Sequence, residues 1–152
     1  MIQGRYMTEK DDLSQLFQLR KTVFKEELGL PPELDQDGQD SWGIHAVAYQ
    51  GEALAATGRI LFDGEDYRIS HVATVKDYRK QGYGDFIVRM LINKALLANA
   101  SQIYADTLPE GRGLLEAIGF ETCGETYEKG GHTWLPMYLK TENLHKCCQN
   151  QK

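Results

Sequence analysis

Residues 67–100 read YRISHVATVKDYRKQGYGDFIVRMLINKALLANA, an apolar stretch, a basic turn and a helix-like run in direct succession. Residues 67–75 are rich in β-branched and aromatic residues and read as a strand. From Asp85 to Ala100 the residues Phe86, Ile87, Met90, Leu91, Lys94 and Leu97 recur at helical spacing, which predicts one apolar stripe. Between them stands RKQGYG, Arg79–Gly84. Glycines suit any tight turn, but this one opens a helix. The first N–H groups of a helix have no intrahelical partner, and the dipole adds partial positive charge there. Gly82 and Gly84 leave no side chain in the way of an anion, and Arg79 and Lys80 add full charges. Such a turn suits a pyrophosphate. Two nucleotide motifs do not fit. A dinucleotide fingerprint needs a third glycine where Ile87 stands, and the Gly-Lys-Ser/Thr of a Walker loop is absent.

Working outward, Ile2–Tyr6 is a short strand. Thr8 is expected to cap a helix whose first turn carries Glu9, Asp11 and Asp12. Leu13, Leu16, Phe17, Leu19, Arg20, Val23, Phe24 and Glu27 follow at helical spacing, and Gly29 with Pro31 and Pro32 ends the helix. Residues 28–43, LGLPPELDQDGQDSWG, form an acidic loop with room for one helical turn, long for a mere connection. Residues 44–50 and 53–62 read as a hairpin that leads into the strand at 67–75. Beyond the helix lie a strand at 102–108, a short helix at 111–118 closed by Gly119, and a closing hairpin from segments 120–127 and 133–140. The order β-α-loop-β-β-β-α-β-α-β-β defines an α+β (mixed α/β) fold. Its core is a mixed, mostly antiparallel sheet of six to seven strands flanked by about four helices on both faces.

A chain of 152 residues supports one domain, read as residues 1–140 with a polar tail at 141–152. The net charge of -5 argues against a basic nucleic-acid face. No run approaches the roughly 18 apolar residues of a membrane span, and the N-terminus lacks the pattern of a secretory signal. Cys123, Cys147 and Cys148 form neither a disulfide framework nor, with histidines, a zinc spacing, so reduced thiols in the cytoplasm and no metal are expected.

The segment from Arg68 to Ala95 resembles the Arg/Gln-x-x-Gly-x-Gly/Ala element of the GNAT superfamily of N-acetyltransferases, down to the aromatic Tyr78 before Arg79. LLEAIGFE, 114–121, is similar to the family's helix-Gly-Phe-Glu segment. LRKTVFKEELGLPPELDQDGQD, 19–40, resembles the N-terminal segment of small single-domain bacterial members. The resemblance implies acetyl-CoA as cofactor. It places the pyrophosphate on Arg79, Lys80, Gln81, Gly82, Tyr83 and Gly84, and the pantetheine arm along Val72, Ala73 and Thr74, between splayed fourth and fifth strands. The thioester would then lie near Ser70–Val72, with an N–H near Val72 as oxyanion donor.

It also implies an acetyl-CoA-dependent N-acetyltransferase acting on a primary amine of a small molecule or peptide by direct attack in a ternary complex. A non-catalytic acyl-CoA-binding module of the same fold is the alternative. The family's acidic tyrosine is replaced by Leu115, which leaves Tyr104 or a water as the substitute. For the base, Glu27 and His71 are candidates, with His45 behind them. Asp35, Asp37 and Asp40 would either form an acidic mouth for a cationic amine or solvate the loop. Tyr127 and His132 bracket the last turn, and Trp42 and Trp134 suit packing or a rim. Edge strands in a small sheet would allow a homodimer.

Overall fold

A computed structural model describes residues 2–142 and 144. Eight strands, β1 (Gln3–Met7), β2 (Ile44–Gln50), β3 (Ala53–Phe62), β4 (Tyr67–Thr74), β5 (Gln102–Thr107), β6 (Glu121–Thr122), β7 (Tyr127–Lys129) and β8 (His132–Lys140), form one sheet in the order β1-β2-β3-β4-β5-β8-β6, with β7 paired to β8. Only β4 and β5 run parallel, so the sheet is mixed and mostly antiparallel as expected. The count exceeds the six to seven strands read from sequence, because the segment 120–127 is two short strands, β6 and the start of β7, rather than one.

Four helices cover the sheet: α1 (Ser14–Arg20), α2 (Pro32–Asp35), α3 (Tyr83–Leu97) and α4 (Arg112–Ile118). On one face, Ile87, Val88 and Leu91 of α3 and Leu115 and Ile118 of α4 pack on Ala46, Ala56, Ile60, Ile69, Ile103, Met137 and Leu139. On the other, Leu16 and Leu19 of α1 and the residues after it cover Val47 and Ala73. Burial of this many branched side chains, at about 1.5–3 kcal/mol each, is the main term holding the layers together.

Two helix expectations are corrected. Thr8 is not a helix cap: Asp11 accepts its N–H at 2.9 Å and returns its own N–H to the Thr8 carbonyl at 2.9 Å, closing a turn. The helix therefore begins at Ser14, and its first turn holds no acidic residue. On α3, Leu97 is 72% exposed, while Tyr83, Val88, Ile92 and Ala95 are buried. The buried face is wider than the six-residue stripe because β2, β3 and β4 all meet it. The polar tail begins anchored: Thr141 is buried, with its hydroxyl donating to the Ala100 carbonyl at 2.8 Å, and Leu144 packs on the core. Cys147 and Cys148 lie outside the described residues.

Residues Lys21–Glu27 continue α1 as a π-helix, a rare form that clusters at functional sites. Behind it the 28–43 loop is tied to α1 and to β3 by two buried arginines, Arg20 and Arg59. Arg20 Nε donates to Asp35 Oδ1 at 2.7 Å, and its Nη1 to Asp40 Oδ1 at 2.7 Å. Arg59 grips Asp37 through two bonds, 2.9 and 2.7 Å, and reaches Asp40 Oδ1 at 2.9 Å. The three aspartates therefore do not form an acidic mouth: their charge is spent on guanidinium groups inside the protein.

Removing one partner of a buried ion pair strands the other in low dielectric. Arg20→Met leaves Asp35 and Asp40 without their shared cation and is expected to cost about 3–5 kcal/mol, measured by urea unfolding. A loss below about 1 kcal/mol would show that the arginine is not what holds the loop.

Candidate active site at the fork between β4 and β5

β4 and β5 pair at Tyr67↔Ile103, Arg68↔Tyr104 and Ile69↔Ala105, and then the pairing stops. Both strands continue, to Thr74 and Thr107, so they diverge as a fork. The cause lies on the other side of β4. Between the pairs Arg59↔Ser70 and Thr57↔Ala73 the register with β3 shifts, and β4 accommodates an extra residue. His71 sits in this bulge with φ +58°. A bulge bends its strand and sharpens the twist, and here it leaves the β5-facing edge of Ser70–Thr74 without a strand partner.

The turn after β4 leads to α3. Lys80 adopts φ +64° and Gly82 φ +91°, a left-handed value that a glycine adopts without strain. The first intrahelical bond is Phe86 N–H to the Gly82 carbonyl at 3.0 Å, so the N–H groups of Tyr83, Gly84 and Asp85 precede it. A Cβ built on Gly82 would meet nothing nearer than Ile2 at 4.0 Å, so the approach to these donors is open. A diphosphate fits this ground. The second glycine does different work: a Cβ on Gly84 would lie 3.1 Å from Leu114, so Gly84 lets α3 and α4 approach closely rather than clearing the anion's path.

Among the cradle side chains, Arg79 bridges the elements. Its Nε donates to the Thr74 carbonyl at 3.0 Å and its Nη2 to Glu27 Oε2 at 2.6 Å. Lys80 and Gln81 are exposed, and Gln81 Nε2 donates to the Asp77 carbonyl at 3.1 Å. The Tyr83 side chain points inward, is 2% exposed and hydrogen-bonds Gln50. It anchors the helix start and leaves only its main chain to a ligand.

On the face of the sheet away from α3, His71 is fixed rather than free. Its Nε2–H donates to the carbonyls of Leu34, at 3.0 Å, and Asp35, at 2.9 Å, and Nδ1 meets Ser70 Oγ at 2.9 Å. Phe24 packs edge-on to the ring at 5.8 Å. Burial, followed by the nearby Arg59 and Arg20 charges, lowers its pKa to about 4. It is therefore neutral at physiological pH and braces the 28–43 loop. His45 is buried as well, with Nε2 at 3.1 Å from the Asp40 carbonyl and a pKa lowered chiefly by burial. Burial alone would raise the Asp37 and Asp40 carboxyls, but hydrogen bonds and charge from Arg59 and Arg20 hold both below the usual carboxylate range.

The closing hairpin completes that side. His132 Nε2 lies 2.6 Å from the Leu28 carbonyl, Trp134 Nε1 donates to Lys129 at 2.9 Å, and Gly130 at the hairpin tip abuts Pro31 and Leu34. Trp42 stands 80% exposed, away from this clasp.

The structure thus brings Val72, Ala73, Thr74, His71, Glu27 and Arg79–Gly84 around one fork. It does not bring Tyr104 there. That side chain sits in the paired part of the sheet, stacked on Tyr138 at 6.2 Å with its hydroxyl on Gln102. Leu115 is 6% exposed and belongs to the core. Three charged residues escaped the sequence reading: Arg20, visible only as a charge inside an apolar stripe; Arg59, inside a strand; and Asp106, at the fork. No group of three or more metal-ligating side chains occurs among the described residues, and none of the described helices is long and apolar enough to cross a membrane.

A mixed sheet that forks beside a helix-capping anion cradle defines an acyltransferase of the GNAT type. Residues 23–141 match the acetyltransferase (GNAT) domain family, and the chain belongs to that family. It is accordingly an acetyltransferase, with acetyl-CoA as its donor. A Bacillus subtilis protein provisionally named an acetyltransferase is 30% identical over 141 residues, covering 90% of this chain and 92% of its own. The uncharacterized N-acetyltransferase YjcF of the same organism is 27% identical, covering 76% and 83%. Among solved structures, Escherichia coli ElaA superposes with a TM-score of 0.81 at 24% identity, covering 92% of this chain and all of that one. A Bacillus subtilis acetyltransferase crystallised with CoA gives 0.70 at 20% identity, covering 91% and 99%.

Two measurements check the cradle and the brace. Gly82→Glu puts a carboxylate and a strained φ at the anion site and is expected to lower CoA affinity at least 100-fold by calorimetry, whereas Gly84→Ala is expected to lower the melting temperature through Leu114. Equal CoA affinity in Gly82→Glu and the parent would remove the cradle. For His71 the folded pKa lies below the unfolded value of about 6.5, so its contribution is full above pH 6.5 and is lost as pH falls toward about 4. The urea midpoint is expected to drop across that window in the parent and less steeply in His71→Asn.

Proposed function

We propose that this chain transfers an acetyl group from acetyl-CoA to a primary amine of a small molecule or peptide, by direct attack with both substrates bound. The observation that carries the proposal is the fork: an unpaired strand edge runs straight into an anion cradle, and the two together match a pantetheine amide chain joined to a pyrophosphate. When bound, acetyl-CoA supplies an activated thioester carbonyl.

The chain's residues do the rest. The N–H groups at the start of α3 and the guanidinium of Arg79 hold the diphosphate. The freed edge of Val72–Thr74 pairs with the amide arm. In this reading an N–H near Val72 donates to the thioester carbonyl oxygen, and a donor aimed at developing charge is worth roughly 10²–10³ in rate. Glu27, bonded to Arg79, links the acceptor side to the cradle. His71 acts through its two carbonyl partners: it holds residues 34–35 as a wall of the acceptor site, and its low pKa leaves proton removal to a carboxylate or water. Leu115, packed in the core, supplies no acid, so the sulfur leaves as thiolate or takes its proton from water.

The exposed free thiol of Cys123 suits a reducing compartment, the cytoplasm. Pairing through the exposed edge of β1 would give a homodimer.

Purified protein mixed with acetyl-CoA and a panel of polyamines, aminoglycosides, amino acids and lysine peptides is expected to release free thiol with at least one amine. CoA binding without turnover on any amine would favour a non-catalytic acyl-CoA-binding module. His71→Ala removes a donor from two buried carbonyls, each worth about 1–3 kcal/mol. It is expected to raise the acceptor KM about tenfold with CoA affinity unchanged, while His71→Asn recovers part of the loss.

A further inference from the structure

Asp106 stands at the fork on the face opposite α3 and α4. Its neighbours Ile103 and Ala105 are buried on the helix-covered face, so the alternation of the strand turns Tyr104 and Asp106 to the side that His71 and Phe24 occupy. The last β4–β5 pair is Ile69↔Ala105, which makes Ser70 and Asp106 the first residues past the point of divergence. A single hydrogen bond orients the carboxylate: the hydroxyl of Tyr127, on β7, donates to Asp106 Oδ2 at 2.6 Å.

Most carboxylates that face this site are already committed. Asp35, Asp37 and Asp40 serve Arg20 and Arg59, Glu27 serves Arg79, and Glu128 takes the hydroxyl of Thr133. Asp106 makes no salt bridge among the described residues. The nearest cation on that face, Arg68, is held by Asp63 at 2.8 Å and lies over the Tyr104 ring. Asp106 is thus an exposed, oriented carboxylate with no direct ion pair, felt by Arg68 only at a distance, and at the mouth of the fork it is complementary to an alkylammonium group.

We infer that Asp106 is the anchor for the acceptor's ammonium group and that Tyr127 is the positioning residue that holds its carboxylate, so that the enzyme selects amines that are cationic at neutral pH. This rests on the transfer proposed above. Once the ammonium is docked, a proton passes from it to Asp106 or to water. The neutral nitrogen then forms its bond to the acetyl carbon as the carbon–sulfur bond breaks, CoA leaves as thiolate, and the acylated nitrogen gives its extra proton to that thiolate or to water.

The test compares Asp106→Asn with the parent on alkylamines, such as spermidine and tyramine, and on an arylamine that is uncharged at pH 7.5. Loss of at least 50-fold in kcat/KM for the alkylamines, with less than 5-fold for the arylamine and unchanged CoA affinity, is the expected result. Equal losses on both classes, or no loss, would overturn the anchor. Tyr127→Phe leaves the charge but frees it, and is expected to raise the alkylamine KM several-fold at nearly constant kcat; a fall in kcat alone would count against positioning. Absence of turnover with every amine would sink the transfer proposal itself. In that event n-butylamine titrated into the CoA-loaded protein still decides the anchor: saturable NMR shifts at Asp106 and Tyr127, absent in Asp106→Asn, support it, and none in the parent overturns it.

Discussion

Two parallel strands stay hydrogen-bonded only while both keep the same pleat and twist, and β4 loses that match at the His71 bulge. The function proposed above follows from this loss: the unpaired edge of Ser70–Thr74 is its proposed receptor for an extended amide chain, and the turn beyond it leads to the α3 N-terminus. Without the bulge, β4 and β5 would pair to their ends and the sheet would be a closed wall.

An opened strand edge is costly unless its surroundings are rigid. Here rigidity comes from charge buried behind the acceptor side. Arg20 and Arg59 are each at most 2% exposed, and between them they fasten three aspartates of a loop that has little apolar content of its own. His71 receives that loop from the other direction through the Leu34 and Asp35 carbonyls. The bulge that opens the fork and the network that walls the acceptor side therefore meet in one side chain. Burial keeps that side chain uncharged at neutral pH and makes it a weak base.

Local patterns in the sequence carry most of the strand boundaries. Segments 44–50 and 53–62 read from alternation and turn residues coincide with β2 and β3, since a hairpin's signals lie within its own residues. The strand-turn-helix setting of Arg79–Gly84 was equally legible, because glycines and basic residues between a strand and a helix form a contiguous motif. What was not legible depends mostly on contacts distant in sequence, and in the case of Thr8 on a local turn that competes with a helix start. The aspartates of the loop look solvated until Arg59, some twenty residues on, is folded beneath them. Gly84 looks like an anion's clearance until Leu114 is packed against it. Thr8 looks like a cap until Asp11 closes its turn. Asp106 gives no sign in the chain at all, since its position at the fork comes from the β4 partner it lacks while it still pairs with Pro136 of β8.

The chain by itself therefore determined the class of fold and the order of its elements, because each rests on periodicity or on signals only a few residues long, and it proposed the place where a diphosphate would dock. The tertiary structure alone decided which charges are spent inside the protein. That division follows from electrostatics: a carboxylate's availability is set by the cations brought within a few ångströms of it, and folding, not sequence spacing, brings Arg20 and Arg59 to three of the aspartates, while Asp106 makes no salt bridge among the described residues.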